Sequence, residues 1–320
     1  MLSGNALRRL RGRSDHMLVR VAGAIALLCG TPAARAEPVA ITFDDLPVAN
    51  AAASSPDAIA ITRRLLAGLH RSHIPAIGFV NEGKLAGAER AAGETILKAW
   101  LDAGMDLGNH GYSHLSFTAT PLAAYIADAA AGDPITRPLM AAHGKREQWW
   151  RFPYLETGST PQAKAGFEAW LAEHGYRIAP VTMENSDYQF AAVYDAALAR
   201  RDAAGAQRVR QAYLDHSAKI VAWYETAALG LLGRRPAFVF LLHASRLNAD
   251  MIGPLSALLK SEGLRFVTLR RAMRDPAYRI ADTYVGPDGD QWLTRWSLTL
   301  HRPLPWSSLP TPPSWITQPG

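Results

Sequence analysis

The sequence predicts an α/β fold built on parallel strands, and three observations carry that prediction. Short apolar runs of about five residues alternate with longer segments of helical periodicity. Polar residues able to do chemistry stand at the C-terminal ends of those runs. The 284 residues that follow an N-terminal leader suit one large domain, with no low-complexity linker and no internal repeat. About seven β-α units imply parallel pairing, in either a barrel or an open doubly wound sheet.

The first 36 residues read as a leader. Arg8, Arg9, Arg11, Arg13 and Arg20 precede the apolar run "VAGAIALLCG" (21–30), and small residues stand at Ala34 and Ala36. That is the pattern of a signal peptide cut before Glu37, starting at Met1 or Met17. The apolar run is short for a permanent span, so the expectation is a periplasmic or extracellular protein with no stable membrane span after cleavage. The leader holds six Arg and one Asp. Its removal leaves 28 basic and 27 acidic residues, which removes the ground for a nucleic-acid partner despite a full-chain charge of +6. Cys29, the only cysteine, leaves as well, so disulfides, a cysteine nucleophile and thiolate metal sites are excluded. Any metal must be held by His, Asp or Glu.

The remaining elements follow in order. "VAITF" (39–43) is a buried strand, and "PDAIAITRRLLAGLH" (56–70) is a helix opened by proline. "AIGFV" (76–80) is the next strand, and "GETILKAWLDAG" (93–104) is a helix stopped by Gly104. "MDLGNHG" (105–111) is strand into loop, and a helical pattern over 121–131 precedes the strand in "QWWRFPY" (148–154). "PQAKAGFEAWLAEHG" (161–175) is a helix, and "RIAPVTM" (177–183), "FVFLLHAS" (238–245) and "RFVTL" (265–269) complete the strands. One long helical stretch, about 193–232, reads as an amphipathic insertion packed on the barrel. The domain spans 37–300, and the proline-rich residues 301–320 read as an extended tail.

The strand ends supply a short roster of chemistry. Strand one gives Asp44 and Asp45, strand three gives Asn109, His110 and His114, and strand four gives Arg151 and Tyr154. Asp187 follows strand five, and His243 ends strand six. Histidines four apart in "HGYSH" (110–114) can both face one ion. Alone that spacing is weak, and the pair His70 and His73, at a helix end without a carboxylate, reads as surface. An adjacent pair of aspartates is costly unless a cation or base role uses it, and otherwise marks a turn or a helix cap. Two His and one Asp leave open positions on a divalent ion, as metal-assisted hydrolysis requires.

With "TFDDLP" (42–47), "HGYSH" (110–114), "RFPY" (151–154) and "LLH" (241–243) in this order and spacing, the chain resembles the NodB-homology polysaccharide deacetylases, carbohydrate esterase family four, over about 39–270. The resemblance implies a distorted (β/α)7-type barrel and metal-dependent removal of acetyl groups from an acetylated glycan. It implies Asp44 as catalytic base and Asp45, His110 and His114 as metal ligands. It implies Arg151 as the residue orienting the base, and the Tyr154 backbone N–H as an oxyanion donor. His243 is then the general acid and Asp187 the residue that orients it. The implied cofactor is a divalent metal, with Zn²⁺ suited to the ligand set and Co²⁺, Ni²⁺ or Mn²⁺ as alternatives.

Three departures stand out. Leu46 occupies a position where the family usually has Gly, Gly111 replaces a hydroxyl residue, and Tyr188 replaces a Trp. Trp149, Trp150, Tyr154, Tyr188, Trp292, Trp296 and Trp306 are candidate faces for sugar rings, and Asn248 is a candidate helix cap. The expected activity is N-deacetylation of amino sugars in peptidoglycan, an exopolysaccharide or a chitin-like glycan. An O-acetyl esterase or a non-sugar amidase would use the same site, and an inert glycan-binding protein is the reading of a different class. A serine hydrolase is disfavoured, because no GxSxG elbow occurs.

Overall fold

The apolar run beginning at Val39 becomes the middle of the sheet. Strand β1 (Glu37–Leu46) pairs with β2 (Ile77–Val80) and with β7 (Phe238–His243). Residues 39–43 are all buried, as expected for a parallel strand covered on both faces. In the computed structural model the described residues are 36–50, 53–146 and 149–318; the leader read over 1–36 falls outside them up to Arg35.

The other strands are β3 (Asp106–Asn109), β4 (Trp149–Trp150), β5 (Arg177–Ile178), β6 (Met183–Glu184) and β8 (Leu264–Phe266). The order is β5-β4-β3-β2-β1-β7-β6, with β8 against the first residues of β1, and every pairing is parallel. The expected single strand over 177–183 is two strands at opposite ends of this order. Pro180 lacks the N–H that a continuous ladder needs. Ala179 N–H instead donates to Trp150 O (2.8 Å), and Thr182 N–H to Val239 O (3.0 Å). That link closes the architecture. A flat seven-strand sheet would be roughly 29 Å from edge to edge. The connection from Ile178 to Met183 spans at most roughly 18 Å. The sheet therefore curls into a half-barrel with its helices outside, which is the distorted (β/α) barrel.

Leu46 finds its explanation here. It is fully buried beside β2, and its Cδ2 lies 2.5 Å from where a Cβ on Gly78 would stand. The leucine fills the space that Gly78 leaves empty.

Helices α1 (Ser55–Ser72), α2 (Arg90–Asp102), α3 (Leu122–Ala131), α4 (Thr136–Ala142) and α5 (Pro161–Glu173) cover the first five strands. The stretch expected over 193–232 is two helices, α6 (Asp187–Ala199) and α7 (Ala203–Leu232). The break falls where Arg201 takes a left-handed backbone (φ 57°) and Asp202 caps α7, its carboxylate accepting from Gly205 N–H at 2.8 Å. Val209, Tyr213, Ile220, Trp223 and Tyr224 form the buried face of α7, as packing on the barrel demands. Helix α8 (Arg246–Ser261) follows β7. Among the described residues no helix is long and apolar enough to cross a membrane.

The proline-rich segment after residue 300 is pinned, with short turns at Trp306–Ser308 and Ser314–Thr317. Leu304 and Ile316 are buried, and Trp223 Nε1 donates to Pro305 O (3.3 Å) and Ser308 Oγ (3.2 Å). A chain short of backbone donors is held by side chains and apolar contact instead.

Before that segment, Arg295 is fully buried and donates to Asp282 Oδ2 (2.9 Å), Thr157 Oγ1 (2.8 Å), Asp290 O (2.8 Å) and Leu155 O (2.6 Å). Lys164 Nζ also lies 2.7 Å from Asp282 Oδ2, so loss of Arg295 leaves that carboxylate paired but takes the donor from Thr157 Oγ1, Asp290 O and Leu155 O. Arg295→Met is expected to lower the free energy of unfolding by about 1–3 kcal/mol, read by urea denaturation; a loss near zero would show that these bonds do not hold the fold.

Candidate active site

The β1–β7 register decides which polar groups meet, because Asp44 sits directly opposite His243. Asp44 is 3% exposed. Its Oδ2 lies 3.3 Å from Arg151 NH1 and 3.7 Å from His110 Nε2, and its Oδ1 has no hydrogen-bond partner. Burial pushes this carboxyl up and the Arg151 guanidinium pulls it back, leaving it at about 6. Arg151 is itself fully buried and is pinned by donating from Nε to Ala179 O (3.0 Å) and from NH2 to Thr42 Oγ1 (3.1 Å). Its charge therefore stands at one point beside Asp44.

Asp45 has a left-handed backbone (φ 69°), which turns its carboxylate away from that of Asp44. Its Oδ1 lies 3.7 Å from His114 Nε2 and 3.2 Å from Lys84 Nζ. Burial would raise this group, but Lys84 and the nearby histidines outweigh it and hold it at about 2. His110 Nδ1 lies 2.8 Å from Arg151 O. A carbonyl only accepts, so Nδ1 carries the proton and the lone pair belongs to Nε2. Burial holds both His110 and His114 below the ordinary imidazole range, hence neutral. One donor atom from each of Asp45, His110 and His114 lies within 4.8 Å of the others. Two neutral imidazoles and an ionised carboxylate in that space fit a divalent cation.

The loop that carries the histidines is ordered without the hydroxyl that Gly111 lacks. Gly111 takes φ 75°, and its N–H donates to Asn109 Oδ1 (2.7 Å). Asp128 on α3 accepts from the N–H groups of Tyr112 and Ser113, each at 3.0 Å.

His243 and Asp187 meet at the other side of Asp44. Asp187 Oδ1 lies 2.8 Å from His243 Nδ1, and its Oδ2 accepts from His243 N–H at 2.7 Å. Burial lowers the imidazole, but the Asp187 carboxylate more than reverses this and pushes it up to about 9. His243 is thus protonated at neutral pH, with Nε2 left for the cleft. Asp187 is the first residue of α6, not a loop residue. Asn248, expected as a cap, serves it instead. Its Nδ2 donates to Asp187 Oδ2 and to His243 O (2.9 Å), while its Oδ1 accepts from Tyr213 OH of α7 (2.8 Å). The cap of α8 is Ser245, which accepts from Asn248 N–H.

Of these groups Asp44, Asp45, His110, His114 and His243 line a cleft of about 920 Å³. Tyr154 stands at its edge with a left-handed backbone (φ 55°). Gly289 packs against its carbonyl so closely that an added Cβ would overlap Tyr154 O. Of the seven aromatic candidates, Trp149, Trp150, Trp292 and Trp296 are buried and offer no face to a sugar. Tyr154, Tyr188 and Trp306 are exposed and line the cleft. His70 and His73 lie on the surface, as read from the sequence. The residues missed were Lys84, Asn248 and Asp128. Lys84 lies on a short turn in "NEGKL" with no motif to mark it, and Asn248 was visible only as a cap. Asp128 lies on the helix read over 121–131, where nothing in the pattern points to a loop 15 residues earlier.

Residues 32–177 match the family model described as polysaccharide deacetylase. No curated protein matches the chain. Among solved structures, the family 4 carbohydrate esterase from Streptomyces lividans is similar at 20% identity and TM-score 0.47, over 74% of this chain and 95% of that one. The peptidoglycan deacetylase PdaC from Bacillus subtilis is similar at 18% identity and TM-score 0.48, over 74% and 90%. A family pseudoenzyme from Bacillus anthracis is similar at 14% identity and TM-score 0.48, over 74% and 65%.

Two metal-binding outcomes follow from the geometry, both read by calorimetric titration of the metal-free protein with Zn²⁺. His114→Ala removes a donor and is expected to weaken binding by at least about a hundredfold. Lys84→Met removes the ammonium that competes for Asp45 Oδ1 and is expected to tighten binding by about tenfold, roughly 1.4 kcal/mol.

Proposed function

We propose that this cleft, in a chain whose residues 32–177 match the polysaccharide deacetylase family model, hydrolyses the N-acetyl group of amino-sugar residues with a divalent metal held by Asp45, His110 and His114. The observation that carries the proposal is the opposed pair: an unpartnered Asp44 Oδ1 and a His243 whose Nδ1 is held by Asp187, on neighbouring strands across one cleft. A cation at the Asp45–His110–His114 set supplies Lewis-acid polarisation of the acetyl carbonyl.

The chain's own residues do the rest. Asp44 Oδ1 takes a proton from the water that attacks the acetyl carbon. Arg151 keeps that carboxylate ionised and fixed in direction. The Tyr154 N–H, at the rim of the cleft, is assigned to the developing oxyanion. His243 Nε2 gives its proton to the amine nitrogen as the C–N bond breaks, so acetate and a free amine leave. Asp187 holds that proton in place from Nδ1, and Asn248 and Tyr213 hold Asp187. Zn²⁺ suits the donor set, with Co²⁺, Ni²⁺ or Mn²⁺ as substitutes. Residues 1–36 are proposed to be a cleaved leader that delivers the enzyme to a periplasmic or extracellular glycan, which N-terminal sequencing of the exported protein would test.

The direct test is acetate release from N-acetylglucosamine oligomers, before and after chelation. Chelation and Asp45→Ala are each expected to abolish release, and Asp44→Asn to lower kcat by about 10²–10⁴. Release from acetylated xylan alone would identify an O-acetyl esterase, and release from neither would overturn the glycan-deacetylase reading in favour of a non-sugar amidase or an inert binding protein.

The pH profile supplies a second test. The base works when Asp44 has lost its proton, so the rate rises with pH through about 6, or lower when a cation adds its charge. The acid works when His243 keeps its proton, so the rate falls as pH passes about 9. Asp187→Asn is expected to move that alkaline limb down by about one to three pH units. An unmoved limb would remove His243 from the role of acid.

A further inference from the structure

The cleft has a second wall that hydrolysis as described does not use. Glu184, Tyr224, Asp290 and Gln291 line it, with Trp306 and Leu309 from the C-terminal segment. All lie beyond residue 177, outside the segment matched to the family. Trp306 is 45% exposed, yet it stands on a pinned turn. Its ring lies 5.6 Å from that of Trp223, and Trp223 Nε1 is bonded to Pro305 O and Ser308 Oγ on either side of it. Leu309 N–H donates to Trp306 O at 3.1 Å, and Leu304 is buried. An indole held rigidly against a cleft, with its apolar face in water, is organised for a ligand with an apolar face of its own.

The polar lining narrows that ligand. Asp44, Asp45, Glu184, Asp195 and Asp290 line the cleft, and carboxylates accept hydrogen bonds from the hydroxyl groups of a sugar. The volume, about 920 Å³, lies near the top of the range of roughly 300–1,000 Å³ usual for ligand clefts, which leaves room beyond one sugar ring.

We propose that Trp306 is a stacking platform for the sugar unit next to the one that loses its acetyl group, so that the site selects amino-sugar chains over monosaccharides. The proposal rests on the hydrolytic reading above for the place of the reacting unit. Binding, measured without turnover, separates the two.

Calorimetry with metal-loaded Asp44→Asn protein would compare N-acetylglucosamine with its β-1,4 trisaccharide. The trisaccharide is expected to bind about tenfold or more tightly than the monosaccharide. Adding Trp306→Ala is expected to bring the trisaccharide-to-monosaccharide ratio toward one, and Trp306→Phe to restore most of it. Equal affinities for the two ligands, or a ratio that survives Trp306→Ala, would overturn the proposal. The expected binding pattern together with no acetate release by the wild-type protein would leave the platform standing and refute the hydrolytic reading.

Discussion

Arg151 and Asp44 are both removed from water, and each makes the burial of the other tolerable. An unpaired guanidinium or carboxylate in the middle of this sheet would cost several kcal/mol. Paired, the two fix the mouth of the barrel, because Arg151 also holds Ala179 O and Thr42 Oγ1, and its own carbonyl sets the tautomer of His110. One side chain thus joins β1, the end of β4 and the link between β5 and β6 to the Asp45–His110–His114 set. Burial still leaves Asp44 well above an ordinary aspartate despite the guanidinium, in the range that its proposed role as base requires.

A second network mirrors the first. Asp187 faces His243 as Arg151 faces Asp44, with the signs reversed: Arg151 pulls the Asp44 carboxyl down against burial, and Asp187 pushes the His243 imidazole up against burial. This network reaches outward through Asn248 to Tyr213 on α7. The long helix is therefore more than cover for the barrel. It fixes the orientation of Asp187 from behind, and through Tyr224 and Trp223 it also contributes to or supports the far wall of the cleft.

Two of the three departures from the family pattern become packing facts. Leu46 fills the gap over Gly78, and Asp128 ties the loop that Gly111 opens.

The sequence by itself determined the parallel α/β class, the strand ends that carry Asp44, Asp45, His110, His114, Arg151 and His243, and the absence of any thiol after Cys29. These are local matters: a strand's apolar run and the polar residue that ends it lie a few positions apart, so periodicity reveals them. Tertiary structure decided everything that depends on separation in space. It split 177–183 into two edge strands, because Pro180 interrupts the ladder while the curl of the sheet keeps both ends bonded. It placed Lys84 against Asp45 and Asn248 against Asp187, pairings across 39 and 61 residues that no pattern encodes. It buried four of the seven candidate aromatic faces and left Trp306 at the cleft, since exposure is set by what packs around a side chain and not by the side chain's identity.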